Sequence, residues 1–421
     1  MRIGLVIVGL LLIQGPVQSE ELEAAAASIE ITPPTGYPMW GYAARKEAPC
    51  EGVLDPLFAK ALILKAGEKG IALVSLDLGR APTRESMTRI RDSLKALKLE
   101  LFVVASHTHH GPVIELETWP KGARPYVRDL EEKIVAIVRK AHEARVPATY
   151  ALASVEVPFN RNRQSKRADA TVDRELLVLR VEDRSGKAIA HAVNFAAHPT
   201  MHPASVMKFS TDFVGPFAKK VEAATGAPCL FLQGAAGDLS PNAPAGLRSP
   251  TEFGEALAAS ALKLIDGLKC EAKATTKLAV HREEFRFAAQ VDVNNAFVRI
   301  ALERAFFPEL IGFFRKEYAD GVKPTLSVAL LDNSVGFVGV SGEFFSEHSL
   351  SLKRRARLPH LFFLGYCNDY QQYFPTIAAA AEGGYGTNPP VATAEVGAGE
   401  AIMNRALIAL YRLGGKLPPG K

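Results

Sequence analysis

The chain has 421 residues, 48% of them hydrophobic and 23% charged, with a formal net charge of +5. Apolar content this high beside so small a net charge excludes a mainly disordered chain, and no recurring period marks a repeat array. The 50 basic and 45 acidic residues form no basic stripe, so nucleic acid is not expected as a partner.

Met1-Arg2 is followed by an apolar run from Ile3 to Ile13, a break at Gly15-Pro16, and Val17-Gln18-Ser19 ahead of Glu20. This pattern predicts a signal peptide over residues 1–19, with an apolar run too short to span a bilayer comfortably. The mature protein is then expected to be secreted or periplasmic; an uncleaved anchor is the alternative. Four cysteines follow, Cys50, Cys229, Cys270 and Cys367, at spacings that match neither a compact disulfide framework nor a zinc knuckle. Cys229, inside an apolar run, reads as a buried thiol.

In chain order, strands are predicted at 71–77, 101–105, 175–182, 188–196, 229–233, 326–331, 335–340 and 361–364. Helices are predicted at 83–97, 125–144, 213–224, 251–268 and 398–413. In the second of these, Val127, Leu130, Ile134, Ile137 and Val138 recur at helical spacing. The alternation predicts an α/β fold, a mixed β-sheet core flanked by helices. No Pro/Gly/Ser linker divides the chain, so residues 20–421 are expected to form a single domain.

The polar residues cluster behind the strands. The 101–105 strand runs into Ser106-His107-Thr108-His109-His110-Gly111-Pro112, and the 188–196 strand into His198-Pro199-Thr200. The 229–233 strand leads to Gly237-Asp238-Leu239-Ser240, and the 335–340 strand to Ser341-Gly342-Glu343. In α/β folds such strand carboxyl ends are where a rigid scaffold presents functional side chains. His107 and His109, two apart on an extended segment, would project to one side and suit zinc; a His-bearing turn is the plainer reading. With His198 and Glu343, His107 offers a His-His-carboxylate set from separate strand ends. A catalytic zinc needs such a set with one position left open, where a bound water is acidified towards pKa ~7.

Asp238 and Ser240 read either as ordinary turn residues or, for Ser240, as a nucleophile, although no Gly-x-Ser-x-Gly elbow surrounds it. Arg163 could orient an oxyanion or be a surface charge. Residues 301–318 place Phe306-Phe307 and Phe313-Phe314 near Arg304, Arg315 and Lys316. An aromatic core with a basic edge is favoured there over a lipid-facing lid.

Ser-His-Thr-His-x-Gly-Pro at 106–112, Asn-Phe-Ala-Ala-His-Pro-Thr at 194–200, Gln-Gly-Ala-Ala-Gly-Asp-Leu-Ser-Pro-Asn at 233–242 and Ser-Gly-Glu-Phe at 341–344 together resemble neutral ceramidase. So does the run from Gly365 through Tyr370, Tyr373 and Thr376 to Glu382-Gly383-Gly384-Tyr385. The resemblance is collinear over about residues 27–390. It implies one zinc held by His107, His198, Glu343 and Tyr373, with His109, Arg163 and Tyr385 gripping the substrate amide and its oxyanion. Ser240 would contact substrate, and Asp238 would support the site from behind. Arg163 is preferred to Arg161 because Asn162-Arg163-Gln164 comes closest to the family's Asn-Arg-Ser-Pro run, though the Ser-Pro is missing.

The implied activity is that of an exported zinc amidohydrolase, in which a zinc-activated water cleaves a lipid-like N-acyl amide, with transient contact with a membrane surface. The chain is expected to be a short bacterial form lacking the family's carboxy-terminal immunoglobulin-like domain. A serine amidase or esterase using Ser240 is the metal-free alternative, and a catalytically silent lipid-binding protein the non-enzymatic one.

Overall fold

The structure, a computed structural model, describes residues 21–118, 125–273, 275–292, 295–305 and 308–418. The expected signal peptide and Phe306-Phe307 lie outside the described residues.

Eight strands make the larger sheet: β1 (Leu22–Glu30), β3 (Phe58–Ala66), β4 (Lys69–Leu76), β5 (Leu99–Ala105), β6 (Val146–Glu156), β8 (Glu175–Asp183), β9 (Ala188–Phe195) and β11 (Cys229–Gln233). Their order is β11-β9-β8-β6-β1-β3-β4-β5. The interior pairings are antiparallel, but the two outermost pairs, β4 with β5 and β9 with β11, are parallel. Parallel neighbours need a crossover. Here α1 (Arg84–Leu94) joins β4 to β5, and α3 (Val214–Thr225) joins β9 to β11. Each crossover leaves two strand carboxyl ends side by side at the same end of the sheet.

The two edge strands approach one another. Gln233, closing β11, donates to the carbonyl of Ser106, just past β5, at 2.9 Å. The inner face meets a second sheet of β13 (Leu278–Glu284), β14 (Thr325–Leu331), β15 (Val335–Val340) and β17 (His360–Leu364) in that order. Leu62, Leu73, Phe102, Leu179, Leu232, Phe337 and Phe362 fill the shared core. α1 and α2 (Tyr126–Glu143) cover the β1–β3 side of the larger sheet, and α3 and α4 (Pro250–Gly267) the β8–β11 side. α7 (Ser346–Ala356) and α9 (Ala398–Leu413) back the smaller sheet.

Local chemistry explains the boundaries. α4 opens with a reciprocal Ser249–Glu252 capping box and Pro250 in its first turn, which satisfies amide groups that a helix start leaves free. α1 stops at Leu94, short of the expected 97, because Lys95–Leu97 tighten into a 3-10 turn ending at left-handed Lys98. β1 escapes the sequence pattern. Its four consecutive alanines favour helix intrinsically, but in register against β3 their small side chains let α2 pack close.

Residues 296–305 and 308–317 form two short helices, α5 (Ala296–Ala305) and α6 (Pro308–Glu317). Leu310, Ile311 and Phe314 are buried, in keeping with the aromatic-core reading. All four cysteines are free thiols. No helix among the described residues is long and apolar enough to cross a membrane.

One buried ion cluster ties the two halves together. Arg80, 1% exposed, pairs with Glu115 at 3.3 Å and Asp369 at 3.0 Å, and Glu115 also accepts from the Trp40 indole at 3.0 Å. Removing the cation strands two carboxylates in the interior. Arg80→Met is expected to lower stability by about 3–5 kcal/mol, read as a fall in the denaturant midpoint. An unchanged midpoint would mean that the carboxylates take up protons without penalty.

Candidate metal centre

Three segments deliver the polar cluster. Past β5, the His107 amide still donates to Leu78, but its backbone then turns left-handed at φ 69°. His107 and His109 therefore do not face one point by extended-strand alternation. The left-handed turn brings them there, with their Nε2 atoms 3.4 Å apart. His tolerates that conformation better than most residues, and such strain gathers at functional sites. His198 lies three residues past β9 and is held by Leu239, whose carbonyl meets both its amide and its Nδ1. Glu343 begins β16 (Glu343–Phe344), which pairs in parallel with β18 (Tyr373–Phe374) so that Glu343 and Tyr373 are direct neighbours. Gly342, at φ 144°, precedes it where a Cβ would sit 2.6 Å from the Gln372 carbonyl, so only glycine fits.

The donor atoms converge tightly. His107 Nε2 lies 3.2 Å from His198 Nε2, and Glu343 Oε2 lies 3.0 Å from His198 Nε2 and 3.4 Å from His107 Nε2. These spacings match the edge of a tetrahedron built on bonds of about 2.0 Å, which is roughly 3.3 Å. His107 Nδ1 is 2.7 Å from the Gly79 carbonyl and His198 Nδ1 is 3.0 Å from that of Leu239. A carbonyl only accepts, so both rings carry their proton on Nδ1 when neutral and turn bare Nε2 lone pairs toward the carboxylate. Converging acceptors of this kind suit a cation. His107, His109 and His198 also form a cluster that could hold a metal ion. His109 differs from the other two, because its buried Nδ1 has no partner to fix the ring.

Burial pushes the His109 ring well below its ordinary pKa, reinforced by His107, and lowers His198 to about 3 with help from Arg163. Burial alone would raise the Glu343 carboxyl, but the facing His107 and His198, when they carry a proton on Nε2, outweigh it and hold it well below the usual range. Glu343 is also gripped from behind. Tyr370 donates to Oε1, and Tyr366 donates to Oε2 at 3.3 Å. Trp40 packs edge-on against His107, His109 and Tyr370.

Arg163 stands over the cluster. One of its terminal nitrogens lies 2.8 Å from His198 Nε2 and donates to the Tyr373 hydroxyl at 2.9 Å and to the Gly237 carbonyl at 3.0 Å. Its buried Nε has no partner, and its cation lies over the Tyr385 ring at 5.5 Å. Tyr385, 61% exposed, packs on Tyr373 with ring centres 5.6 Å apart. Arg161 is exposed. Ser240 sits apart from the cluster's hydrogen bonds, on β12 (Leu239–Pro241), opposite Arg161 of β7 (Asn160–Asn162). Among the described residues its hydroxyl has no histidine or carboxylate as partner. Asp238 accepts from Ser346 and from Asn162 at 2.9 Å, which anchors the segment bearing Arg163. A cavity of about 280 Å³ opens onto His109, Glu343, Tyr370, Tyr373 and Tyr385.

No protein-family model matches the chain, and no curated protein matches its sequence. Solved structures do. Neutral ceramidase from Pseudomonas aeruginosa superposes with a TM-score of 0.78 over 96% of this chain and 76% of that one, at 18% identity. The chain has a neutral ceramidase-like fold. A structure of ceramidase complexed with C2 covers the same shares with a TM-score of 0.76 at 17% identity. At such identity the likeness concerns the fold.

Within the neutral ceramidase-like fold, Gln233 holds the histidine-bearing strand ends together. Its amide nitrogen donates to Ser106 at 2.9 Å and Ala197 at 2.8 Å, the residues preceding His107 and His198, and its oxygen accepts from the Ala197 amide at 3.2 Å. Gln233 is fully buried, and in the sequence it stands beside a glycine after an apolar strand and opens the family-like run at 233–242, where the resemblance assigns it no role. Gln233→Leu is expected to weaken the cluster's affinity for a metal ion, with zinc as the probe, by about 10–100-fold, measured by competition with a chromophoric chelator. Unaltered affinity would show that the two strand ends hold their spacing without it.

Proposed function

We propose that the protein is an exported zinc-dependent amidohydrolase that cleaves the amide bond of an N-acyl, ceramide-like lipid, yielding a fatty acid and an amine. The observation carrying this reading is the convergence of His107 Nε2, His198 Nε2 and Glu343 Oε2, with both ring tautomers set by backbone carbonyls, at the floor of a cavity. His107, His198 and Glu343 would hold the zinc, with the Tyr373 hydroxyl as a further donor and a position left for water. Bound zinc supplies a Lewis acid and lowers the pKa of a water from 15.7 towards ~7.

The remaining work falls to the chain. Arg163, with its unpartnered Nε, and Tyr385 donate to the amide carbonyl and to the negative charge it gathers as the carbon–oxygen bond forms. His109 is neutral at pH 7, because burial lowers its pKa, so it can accept the proton that the attacking water loses. It then passes that proton to the nitrogen as the carbon–nitrogen bond breaks. Ser240 contacts substrate instead of attacking it, since no base accompanies its hydroxyl among the described residues. The catalytic unit is one domain.

The test is fatty-acid release from a fluorescent ceramide, with and without a chelator and after zinc is restored. Release should vanish with the chelator and return with zinc. Chelator-resistant release would discard the metal reading and revive a serine enzyme, which would then label covalently at Ser240. No release from a zinc-loaded protein would discard ceramide as substrate.

A further inference from the structure

Behind the cavity lies a second space of about 40 Å³, and the two share Phe314, Gln372, Pro390 and Val391 as a common wall. α6 borders both. Leu310 lines the outer cavity only, Phe314 lines both, and Tyr318, just past the helix end, lines the inner space only. These three residues are four apart, so each stands one helical turn beyond the last along a single face. Val291 and Leu302 close the inner space from the α5 side.

The chemistry of this path is that of hydrocarbon. The two hydroxyls around the inner space have partners. The Tyr318 hydroxyl bonds the Thr393 side chain, and Thr393 in turn donates to the Gln371 carbonyl. Phe314 and Tyr318 stack with planes 8° apart and centres 6.2 Å apart. A small, mainly apolar space whose hydroxyls are already engaged offers water little and favours an apolar guest. The open side of the cavity is different in kind, with exposed Lys46 and Tyr385 and half-buried Tyr42 at its rim.

We propose that α6 is a ruler for the acyl chain: the fatty-acyl group enters from the zinc ligands past Leu310 and is stopped at Phe314, while the amine portion leaves by the Lys46–Tyr385 side. This rests on the amidohydrolase reading and adds to it a substrate polarity and a length limit. Each turn of α6 spans about 5.4 Å, or about four carbons of an extended chain. Phe314→Ala joins the inner space to the outer cavity and lengthens the preferred acyl chain by about that much. Leu310→Phe, one turn away on the side that borders only the outer cavity, shortens it.

The experiment measures kcat/KM for N-acyl amides of one amine carrying two-, eight- and sixteen-carbon acyl chains, on the full zinc-loaded protein. A second series varies the chain on the amine side instead. Relative to wild type, Phe314→Ala should raise the sixteen-to-eight-carbon ratio about tenfold in the acyl series, and Leu310→Phe should lower the eight-to-two-carbon ratio by a similar factor. Because ratios are read, a general loss of activity cancels. Phe314→Leu, gentler on the core, repeats the first arm should the alanine variant unfold. Ratios that stay flat while hydrolysis persists would overturn the ruler and leave the amidohydrolase standing. Ratios that move in the amine series alone would reverse the polarity. Hydrolysis of no member of either series would overturn both readings.

Discussion

Glu343→Ala is expected to abolish zinc retention and amide hydrolysis together, with turnover falling about a thousandfold or more. A ligand contributing about 4 kcal/mol of transition-state stabilisation accounts for that factor. The substitution also has a structural side, because Glu343 is 1% exposed and accepts from both Tyr366 and Tyr370. Two buried hydroxyls lose their acceptor, at about 1–3 kcal/mol each. Glu343→Gln separates the effects, since its amide keeps one oxygen for a tyrosine while losing the charge. The glutamine variant should unfold nearer the wild-type urea midpoint and still fail to hold zinc. Metal content by elemental analysis, set beside turnover, decides the matter: full activity in a protein stripped of zinc would remove Glu343 from the mechanism.

The second large effect is expected at Arg163. Arg163→Ala should leave zinc bound and KM little changed while kcat falls about 10²–10³-fold, the usual consequence of losing one preorganised donor to a developing oxyanion. The prediction rests on the placement of the side chain above the cluster, with one terminal nitrogen shared among His198, Tyr373 and Gly237 while Nε is left without a partner. Arg163→Lys should recover only part of the loss. A single ammonium cannot reach Tyr373 and a substrate oxygen with the fixed fork of a guanidinium. Loss of zinc from the alanine variant would recast Arg163 as a residue that assembles the site, and an unchanged kcat would move oxyanion stabilisation to His109 or Tyr385.

Much of the site was legible because its residues are adjacent in sequence to strong strand signals. Val103-Val104-Ala105 before His107 and Phe195-Ala196-Ala197 before His198 are apolar, bounded and followed by Gly or Pro. Periodicity could not reveal the residues that act through the fold. Tyr366 and Tyr370 stand in the family-like run without a role of their own until the loop after β17 brings both hydroxyls to one carboxylate. Arg80, Glu115 and Trp40 lie in unremarkable stretches and meet only as a buried set. Strand β1 was missed because alanine propensity favours helix and tertiary packing overrode it. The His-x-His pair was found for an incomplete reason, since the convergence depends on a left-handed residue that a period of two does not describe.

The proposed ligands are far apart along the chain: His107 and His198 are separated by 91 residues, and His198 and Glu343 by 145. No fragment short of most of the polypeptide can bring these atoms together, so the pocket exists only when both sheets have docked. Anything that recognises it therefore recognises the native state alone. By mass action an occupant at a hundred times its dissociation constant adds about 2.7 kcal/mol to the unfolding free energy of the whole molecule. Melting temperature thus becomes an assay for occupancy. A library of metal ions and N-acyl amides can be ranked by the shift each produces, without any turnover being measured.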